Sequence, residues 1–366
     1  MIRITDSLIK TLNFIWKKEK TYLMEISKET GLEKSTVSRS LNKLKDLNLI
    51  KKVDELSSTP QGGRKTTVFQ FAYSIGHILG ISVEQDGIEV ALTDLAGKVI
   101  SSKRISVMIN EENIISQLNN VIESYSELDI YGIGISLPGI IDSKNGKIIY
   151  SKALNIRNFN LVSKIERKDN IPVYIENDSN CGALYFNLCN REKSKNILYF
   201  HISIPYYVND GTGIGVGIII KNRLYHGSNN YAGEVEIKKA MINDEKRISF
   251  EELRNYPIEK LLDNSREFLD YYSEKISNFI SVFDPDTVLI GGNIVLLDNE
   301  FLDVFISQIK EKVFMFENRN IYLNHTSSKD FLTSRGAASL ILHKMFSTKN
   351  GAEKFLEIYY NMKKRR

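Results

Sequence analysis

At 366 residues the chain is long enough for two or three domains with sizeable cores, and its 42% hydrophobic and 26% charged content is that of a globular protein. No run approaches the eighteen or so apolar residues of a membrane span and Met1-Ile2-Arg3-Ile4-Thr5-Asp6 does not open a signal peptide, so a cytoplasmic protein with no membrane partner is expected. Residues 1–75 hold fourteen Lys/Arg against eight Asp/Glu, a net +6, so the formal +4 of the whole chain leaves the other residues at −2 and points to an anionic partner at the N-terminal end alone.

Residues 6–18 carry Leu8, Leu12, Ile15 and Trp16 at helical spacing, which predicts a packing helix. Residues 22–30 repeat the pattern with Leu23 and Ile26 and end at Gly31, a residue suited to the left-handed conformation past a helix. In the next helix Val37, Leu41 and Leu44 fall on one side. Lys34, Ser35, Thr36, Ser38, Arg39, Asn42 and Lys43 project elsewhere. Arg, Asn, Ser and Thr suit base edges and Lys and Arg suit phosphates, so this face is that of a recognition helix in a major groove, or else of a solvated surface helix. Two short helices around a Gly-containing turn favour a helix-turn-helix.

Strands at 50–56 and 66–72 then flank the loop Ser57-Ser58-Thr59-Pro60-Gln61-Gly62-Gly63-Arg64-Lys65, a β-hairpin wing. Gly63, Arg64 and Lys65 put two cations on backbone that can approach a narrow minor groove, or form a surface turn with incidental charge.

From His77 apolar strands alternate with amphipathic helices: strands at 78–83, 88–93 and 98–107, a helix at 113–126 with Ile114, Leu118, Val121 and Ile122 inward, and a buried strand at 130–136 ending in Leu137-Pro138-Gly139-Ile140-Ile141-Asp142. Another strand, 173–175, ends in Glu176-Asn177-Asp178. Polar residues just past the carboxyl ends of strands are where α/β sheets bind ligands. A second α/β unit follows, with a strand at 197–204, Gly211-Thr212-Gly213-Ile214-Gly215-Val216-Gly217, a strand at 218–220, and one at 287–290 before Gly291-Gly292. Two lobes imply a cleft. The only cysteines, Cys181 and Cys189, are eight apart in what reads as one helix, roughly 12 Å at about 1.5 Å per residue, so neither a disulfide nor a Cys-rich zinc site is expected. The last sixteen residues carry Phe355, Leu356, Tyr359 and Met362 before Lys363-Lys364-Arg365-Arg366, an amphipathic end helix with a solvated basic terminus in preference to a second nucleic-acid contact.

A winged helix-turn-helix followed by Leu137-Pro138-Gly139-Ile140-Ile141-Asp142, Glu176-Asn177-Asp178-Ser179-Asn180, Gly211-Thr212-Gly213-Ile214-Gly215 and Tyr231-Ala232-Gly233-Glu234 resembles the ROK family (repressors, open reading frames, sugar kinases), in its repressor branch of xylose-operon and N-acetylglucosamine types, from about residue 5 to 345. The resemblance implies an α/β fold, an N-terminal winged helix-turn-helix (1–75) before a two-lobed actin-like, sugar-kinase-like body (76–190 and 191–345) and a C-terminal amphipathic helix (346–366). It implies sugar contacts from Asn155, Asn177, Asp178 and Glu234, with Asp178 alternatively only capping the helix that follows it.

Three departures shape the reading. ROK kinases share an early turn Asp-x-Gly-Gly-Thr whose amides cradle phosphate; the corresponding Ser82-Val83-Glu84-Gln85-Asp86 has no glycine pair and adds carboxylates that would repel a triphosphate. The family's Gly-Glu-Ile-Gly-His and its cysteine cluster are replaced by Gly233-Glu234-Val235-Glu236-Ile237 and the Lys-rich stretch 238–247, so no zinc and no other cofactor is expected. Ile204-Pro205-Tyr206-Tyr207-Val208-Asn209 reads as an insertion whose tyrosines either stack on a sugar ring or fill a loop core. The expected function is a sugar-responsive regulator, not an enzyme, binding double-stranded operator DNA as a homodimer and released by a sugar effector. The rivals are a sugar kinase with a DNA-binding module and a DNA-binding protein whose second half only dimerises.

Overall fold

In the computed structural model, residues 4–56, 66–166, 171–189, 194–204, 213–235, 265–327 and 332–365 are described. The loop with Gly63, Arg64 and Lys65, the Tyr206-Tyr207 insertion, Gly211-Thr212 and the Lys-rich stretch lie outside them.

The N-terminal unit opens with α1 (Asp6–Lys17), capped by the Thr5 hydroxyl, which accepts from the Leu8 amide at 3.3 Å. Tyr22, expected to open the second helix, instead joins Thr21 in β1 (Thr21–Tyr22), which adds to the wing sheet before α2 (Leu23–Thr30). Gly31 then turns with φ +70°, where a Cβ would be strained, and α3 (Lys34–Asp46) follows. The wing strands β2 (Ile50–Leu56) and β3 (Thr66–Phe71) pair antiparallel from Ile50 opposite Phe71 to Leu56 opposite Thr66.

The first lobe is a five-stranded sheet in the order β11-β7-β4-β5-β6, where β4 is His77–Glu84, β5 Gly87–Asp94, β6 Val99–Ser106, β7 Ile130–Leu137 and β11 Val173–Asn177. Strands β4, β7 and β11 are parallel and buried along nearly their whole length, as a sheet covered on both faces requires. Helix α4 (Ile114–Glu123) covers one face with Ile114, Leu118 and Val121. A small sheet of β8 (Ile140–Asp142), β9 (Lys147–Ser151) and β10 (Ile156–Asn160) follows β7.

The second lobe is also five-stranded, in the order β14-β13-β12-β15-β16: β12 Ile197–Ser203, β13 Gly213–Ile220, β14 Arg223–Leu224, β15 Thr287–Gly291 and β16 Tyr322–His325. Helices α6 (Ser265–Phe283) and α7 (Asn299–Lys312) bury Phe268, Tyr272, Ile276 and Phe305 with Phe200, Val216 and Ile290 of the sheet.

Two helices lie between the lobes. Helix α5 (Asp178–Cys189) packs on β12 and β13, and α8 (Leu332–Phe346) on β4 and β7. They touch where Gly336 meets the backbone of Cys181; a Cβ at Gly336 would sit 2.0 Å from the Cys181 carbonyl oxygen, so the two helices could not approach with any larger residue there.

Helix α9 (Lys349–Arg365) returns to the N-terminal unit. Its Phe355, Leu356, Ile358 and Tyr359 share one hydrophobic core with Leu12, Ile15 and Trp16 of α1, Val37, Leu41 and Leu44 of α3, and Ile341, Leu342 and Phe346 of α8. Trp16 stacks on Phe346 at 4.5 Å and donates its indole N–H to the Leu95 carbonyl at 2.8 Å. The Tyr359 hydroxyl donates to the carbonyl of Leu47, the residue that ends α3. The winged helix is therefore built into the first lobe's core, with α9 as the wedge. Among the described residues no helix is long and apolar enough to cross a membrane.

Candidate functional site

The outer face of α3 is arranged as its periodicity predicts. Val37, Leu41 and Leu44 are buried. Lys34, Ser35, Arg39 and Asn42 are exposed and Thr36, Ser38 and Lys43 half-buried, so the polar residues line a face open to solvent. Arg39 lies back along the helix, its guanidinium donating to the Ser35 carbonyl and the Thr36 hydroxyl, each at 3.4 Å. These long, exposed bonds cost little to exchange for a base edge.

The second site forms where β11 runs into α5. Asn177, the last residue of β11, turns its Oδ1 onto the start of the helix and accepts from the amides of Ser179 (2.9 Å) and Asn180 (3.2 Å) and from the Ser179 hydroxyl. Its Nδ2 donates to the Gly139 carbonyl at 2.9 Å and reaches Glu234 Oε1 at 3.4 Å. Asn177 thus performs the capping for which Asp178 is also suited. Asp178 accepts the Ser179 amide on Oδ1 at 2.7 Å, while its Oδ2 faces His201 Nε2 of β12 at 3.7 Å. Burial raises the Asp178 carboxyl above the usual range, against the opposing pull of His201.

Glu234 arrives from the second lobe. Gly233, at φ +85°, lets the chain fold onto β13, where its carbonyl accepts the Val216 amide at 2.8 Å and Glu234 bridges Gly215. A Cβ on Gly233 would lie 1.9 Å from the Val216 carbonyl oxygen, so glycine is required for Glu234 to reach the cleft. Burial first and the Asp178 charge second push the Glu234 carboxyl up to about 7. Near neutral pH the pair Asp178 and Glu234 therefore offers both a hydrogen-bond donor and acceptors.

Behind these stands a group that the sequence reading left unassigned. Glu176, buried at the end of β11, accepts from Asn180 Nδ2 (3.0 Å), the Asn177 amide (3.0 Å) and the Ser143 hydroxyl (2.8 Å), and pairs with His226 Nε2 at 2.8 Å. Burial works to raise its carboxyl, but these bonds outweigh it and hold it below the usual value; the Glu176 hydrogen bond raises His226 in turn. The contact ties the second lobe to the first. Its one signal in sequence was a histidine eight residues before Glu234. Asn155 is placed apart, on an exposed turn at φ +53° with its amide on the Lys152 carbonyl, and makes no hydrogen bond to Asn177, Asp178 or Glu234.

On the same carboxyl edge of the sheet, with only β7 between it and β11, the turn after β4 is filled. Arg104 of β6 pairs with Glu84 (2.9 Å), Asp86 (2.7 Å) and Glu89 (3.0 Å). Burial and the neighbouring Glu84 push Glu89 up to about 8, while the three carboxylates raise Arg104 against its own burial. Carboxylates and one guanidinium occupy the ground where backbone amides would have to face phosphate.

Comparison with known proteins adds family context. Residues 78–236 match the model of the ROK family, and residues 12–52 that of bacterial regulatory proteins of the arsR family. A xylose repressor of Bacillus spizizenii is 29% identical over 328 residues, covering 79% of this chain and 83% of that protein. A solved ROK family transcriptional regulator, described as a homolog of the E. coli MLC protein, superposes with a TM-score of 0.71 at 20% identity, over 96% of this chain and 100% of that one. A ROK family glucokinase from Streptomyces griseus superposes at 0.55 with 18% identity, over 72% of this chain and 99% of its own; at that identity the likeness is one of fold.

Proposed function

Because this chain belongs to the ROK family and carries a winged helix-turn-helix in front of the family's two lobes, we propose that it is a sugar-responsive transcriptional repressor of a carbohydrate-utilisation operon. One observation carries the reading: α3 turns Arg39 and Asn42 outward from the same hydrophobic core that holds α8, and α8 touches α5 a single turn beyond Asp178. A ligand that draws Asp178 and Glu234 together acts on both lobes, and the helices between them pass the change to the recognition helix.

Asp178 and Glu234 are the groups placed to bind sugar hydroxyls, Asn177 holds both in position, and Asn155 joins them only if its turn closes over the ligand. Two copies on a palindromic operator would set a fixed spacing of recognition helices for the sugar to alter, so the active species is a homodimer. Xylose is the first effector to try, since the repressor from Bacillus spizizenii is named for it. The chain regulates and does not phosphorylate: a catalytic carboxylate at Asp178 has no use without a phosphoryl donor, and the Arg104 cluster leaves no amide cradle for one.

Fluorescence anisotropy on the DNA upstream of the chain's own operon, with and without D-xylose, D-glucose and N-acetyl-D-glucosamine, tests this reading. Tight binding released by one of the sugars is expected, with Arg39→Ala weakening specific binding by about 1–3 kcal/mol. Unaltered specific binding by that variant at matched salt would remove α3 from the groove.

A further inference from the structure

His201 stands opposite the sugar-facing oxygen of Asp178, and no role assigned so far uses it. In its sheet it is flanked by glycine on both neighbouring strands, Gly215 on β13 and Gly291 on β15, so no cross-strand side chain crowds its ring. The face it projects from is the one that meets the start of α5, because a Cβ on Gly215 would touch the Ser179 side chain at 3.2 Å. Its Nδ1 is buried with no hydrogen-bond partner among the described residues. Its Nε2 has Asp178 Oδ2 at 3.7 Å, too far for a good hydrogen bond and too near for the two to be unrelated.

Two polar atoms at that separation can share a third partner. A single oxygen can sit about 2.8 Å from each of them. We propose that His201 and Asp178 read the same hydroxyl of the bound sugar, which donates its hydrogen to Asp178 Oδ2 and accepts one from His201 Nε2. The inference rests on the sugar-cleft reading above and adds a specificity determinant to it. A hydroxyl is the group that satisfies both partners, since an ether oxygen accepts but cannot donate, and a deoxy carbon does neither. With Glu176, Asp178 and Glu234 close by, the ligand class is a neutral sugar carrying a free hydroxyl at this position; a uronate or a sugar phosphate would set like charges against these carboxylates.

The test is calorimetric titration of the full chain with D-xylose, D-glucose and N-acetyl-D-glucosamine, followed by the monodeoxy and mono-O-methyl derivatives of whichever sugar binds. One position should emerge at which both derivatives bind at least tenfold more weakly than the parent sugar. His201→Ala should weaken the parent sugar by about tenfold and shrink the penalty of the deoxy derivative at that position, which includes the lost bond from His201, while the O-methyl penalty, which comes from the lost donation to Asp178, stays. His201→Gln, whose side-chain amide can still donate, should recover part of the affinity, and thermal unfolding serves as the folding control. Parent-like sugar affinity in His201→Ala, or an undiminished penalty for the deoxy derivative in it, overturns the inference while leaving the sugar cleft standing. Should the alanine variant not fold, the lack of any hydroxyl position costing tenfold in the parent chain overturns it on its own. If the parent chain binds none of the sugars, the inference falls together with the reading beneath it.

Discussion

Two neighbouring positions on the carboxyl edge of the first sheet use the same chemistry for opposite purposes. At the β11 end, carboxylates from both lobes converge, with one oxygen of Asp178 on the Ser179 amide and the other opposite His201 without a close hydrogen bond. At the β4 end, Glu84, Asp86 and Glu89 are also clustered and largely buried, but Arg104 reaches in and takes all three. What separates a binding site from a structural plug is therefore whether the polar atoms are spent inside the protein. On the proposed reading, the first position is kept for a small polar ligand and the second, filled by Arg104, is given up as a place for phosphate.

The largest effect should come from breaking the plug. Arg104→Ala leaves buried carboxylates with no cation, and breaking a buried charge network of this kind costs about 3–5 kcal/mol, read as a lower urea midpoint. Near-parent stability would mean the cluster is not what fills the β4 end. At the other end the response should be reversed. Asp178→Asn keeps the shape and leaves Asn177 as the cap, so stability should stay close to the parent's, while sugar affinity drops by roughly 1–3 kcal/mol because a hydroxyl loses its charged acceptor. An Asp178→Asn protein with full sugar response would move the binding site elsewhere.

How much of this contrast could be read beforehand depends on what each residue's neighbours in sequence reveal. The polar outer face of α3 was legible because Val37, Leu41 and Leu44 alternate with polar residues at helical spacing. The winged helix before two actin-like lobes was legible from the order of the glycine-rich turns, and the carboxylates of the 82–86 turn were visible as a change of charge. Arg104 was not, since it lies in a strand eighteen residues past Asp86 and only the β5-β6 pairing brings it back. Helix α8 escaped for the opposite reason: lying between two lobes, it is buried on all sides from Leu332 to Leu342 apart from Arg335, and so has no polar face to set a period. The short sheet of β8, β9 and β10 follows a Pro-Gly turn and runs through Asn- and Lys-containing turns that read as loop. The pairing of Glu176 with His226 joins residues fifty apart across the lobes, and no local pattern announces such a contact.

The contrast can also be sharpened by pH. Glu234 and Glu89 both stay protonated in the folded chain well above 4.5, Glu234 to about 7 and Glu89 to about 8. Between those limits the folded state holds protons that the unfolded state has lost, so raising the pH favours unfolding, and the stability these groups contribute at pH 4.5 is gone by about pH 8. Glu234→Gln should flatten the part of this fall that lies below pH 7, by about 1–3 kcal/mol, and leave the part that belongs to Glu89. Equal slopes in parent and variant between pH 5 and 7 would show that Glu234 titrates normally. His226 runs in the same direction: Glu176 raises its pKa, so its contribution is complete below 6.5 and is lost as the pH climbs through the folded value.

The smallest effect expected concerns how either end reaches the DNA. Helix α5 starts with Asp178 after β11, and α8 starts beside β4, where Thr333 donates its hydroxyl hydrogen to Ser82 at 2.8 Å. Strand β4 thus anchors one helix of the pair through Ser82, and on the proposed reading the sugar acts at the head of the other, so that their contact at Gly336 would turn a shift of α5 into a movement of α8 against the first lobe. From α8 the path runs through Phe346 and α9 to Tyr359, whose hydroxyl holds the carbonyl at the end of α3. Tyr359→Phe deletes that hydrogen bond and keeps the ring stacked on Phe355, so the core survives and stability should fall by only about 0.5–1.5 kcal/mol. Operator affinity without sugar should change less than it does in Arg39→Ala, because no base or phosphate contact is lost. The sugar's effect on operator affinity should shrink, since α3 is then less firmly attached to the element that moves. Anisotropy titrations of the variant with and without sugar measure that ratio directly, and a full-sized ratio in a protein of reduced stability would show that Tyr359 braces the core without transmitting the signal.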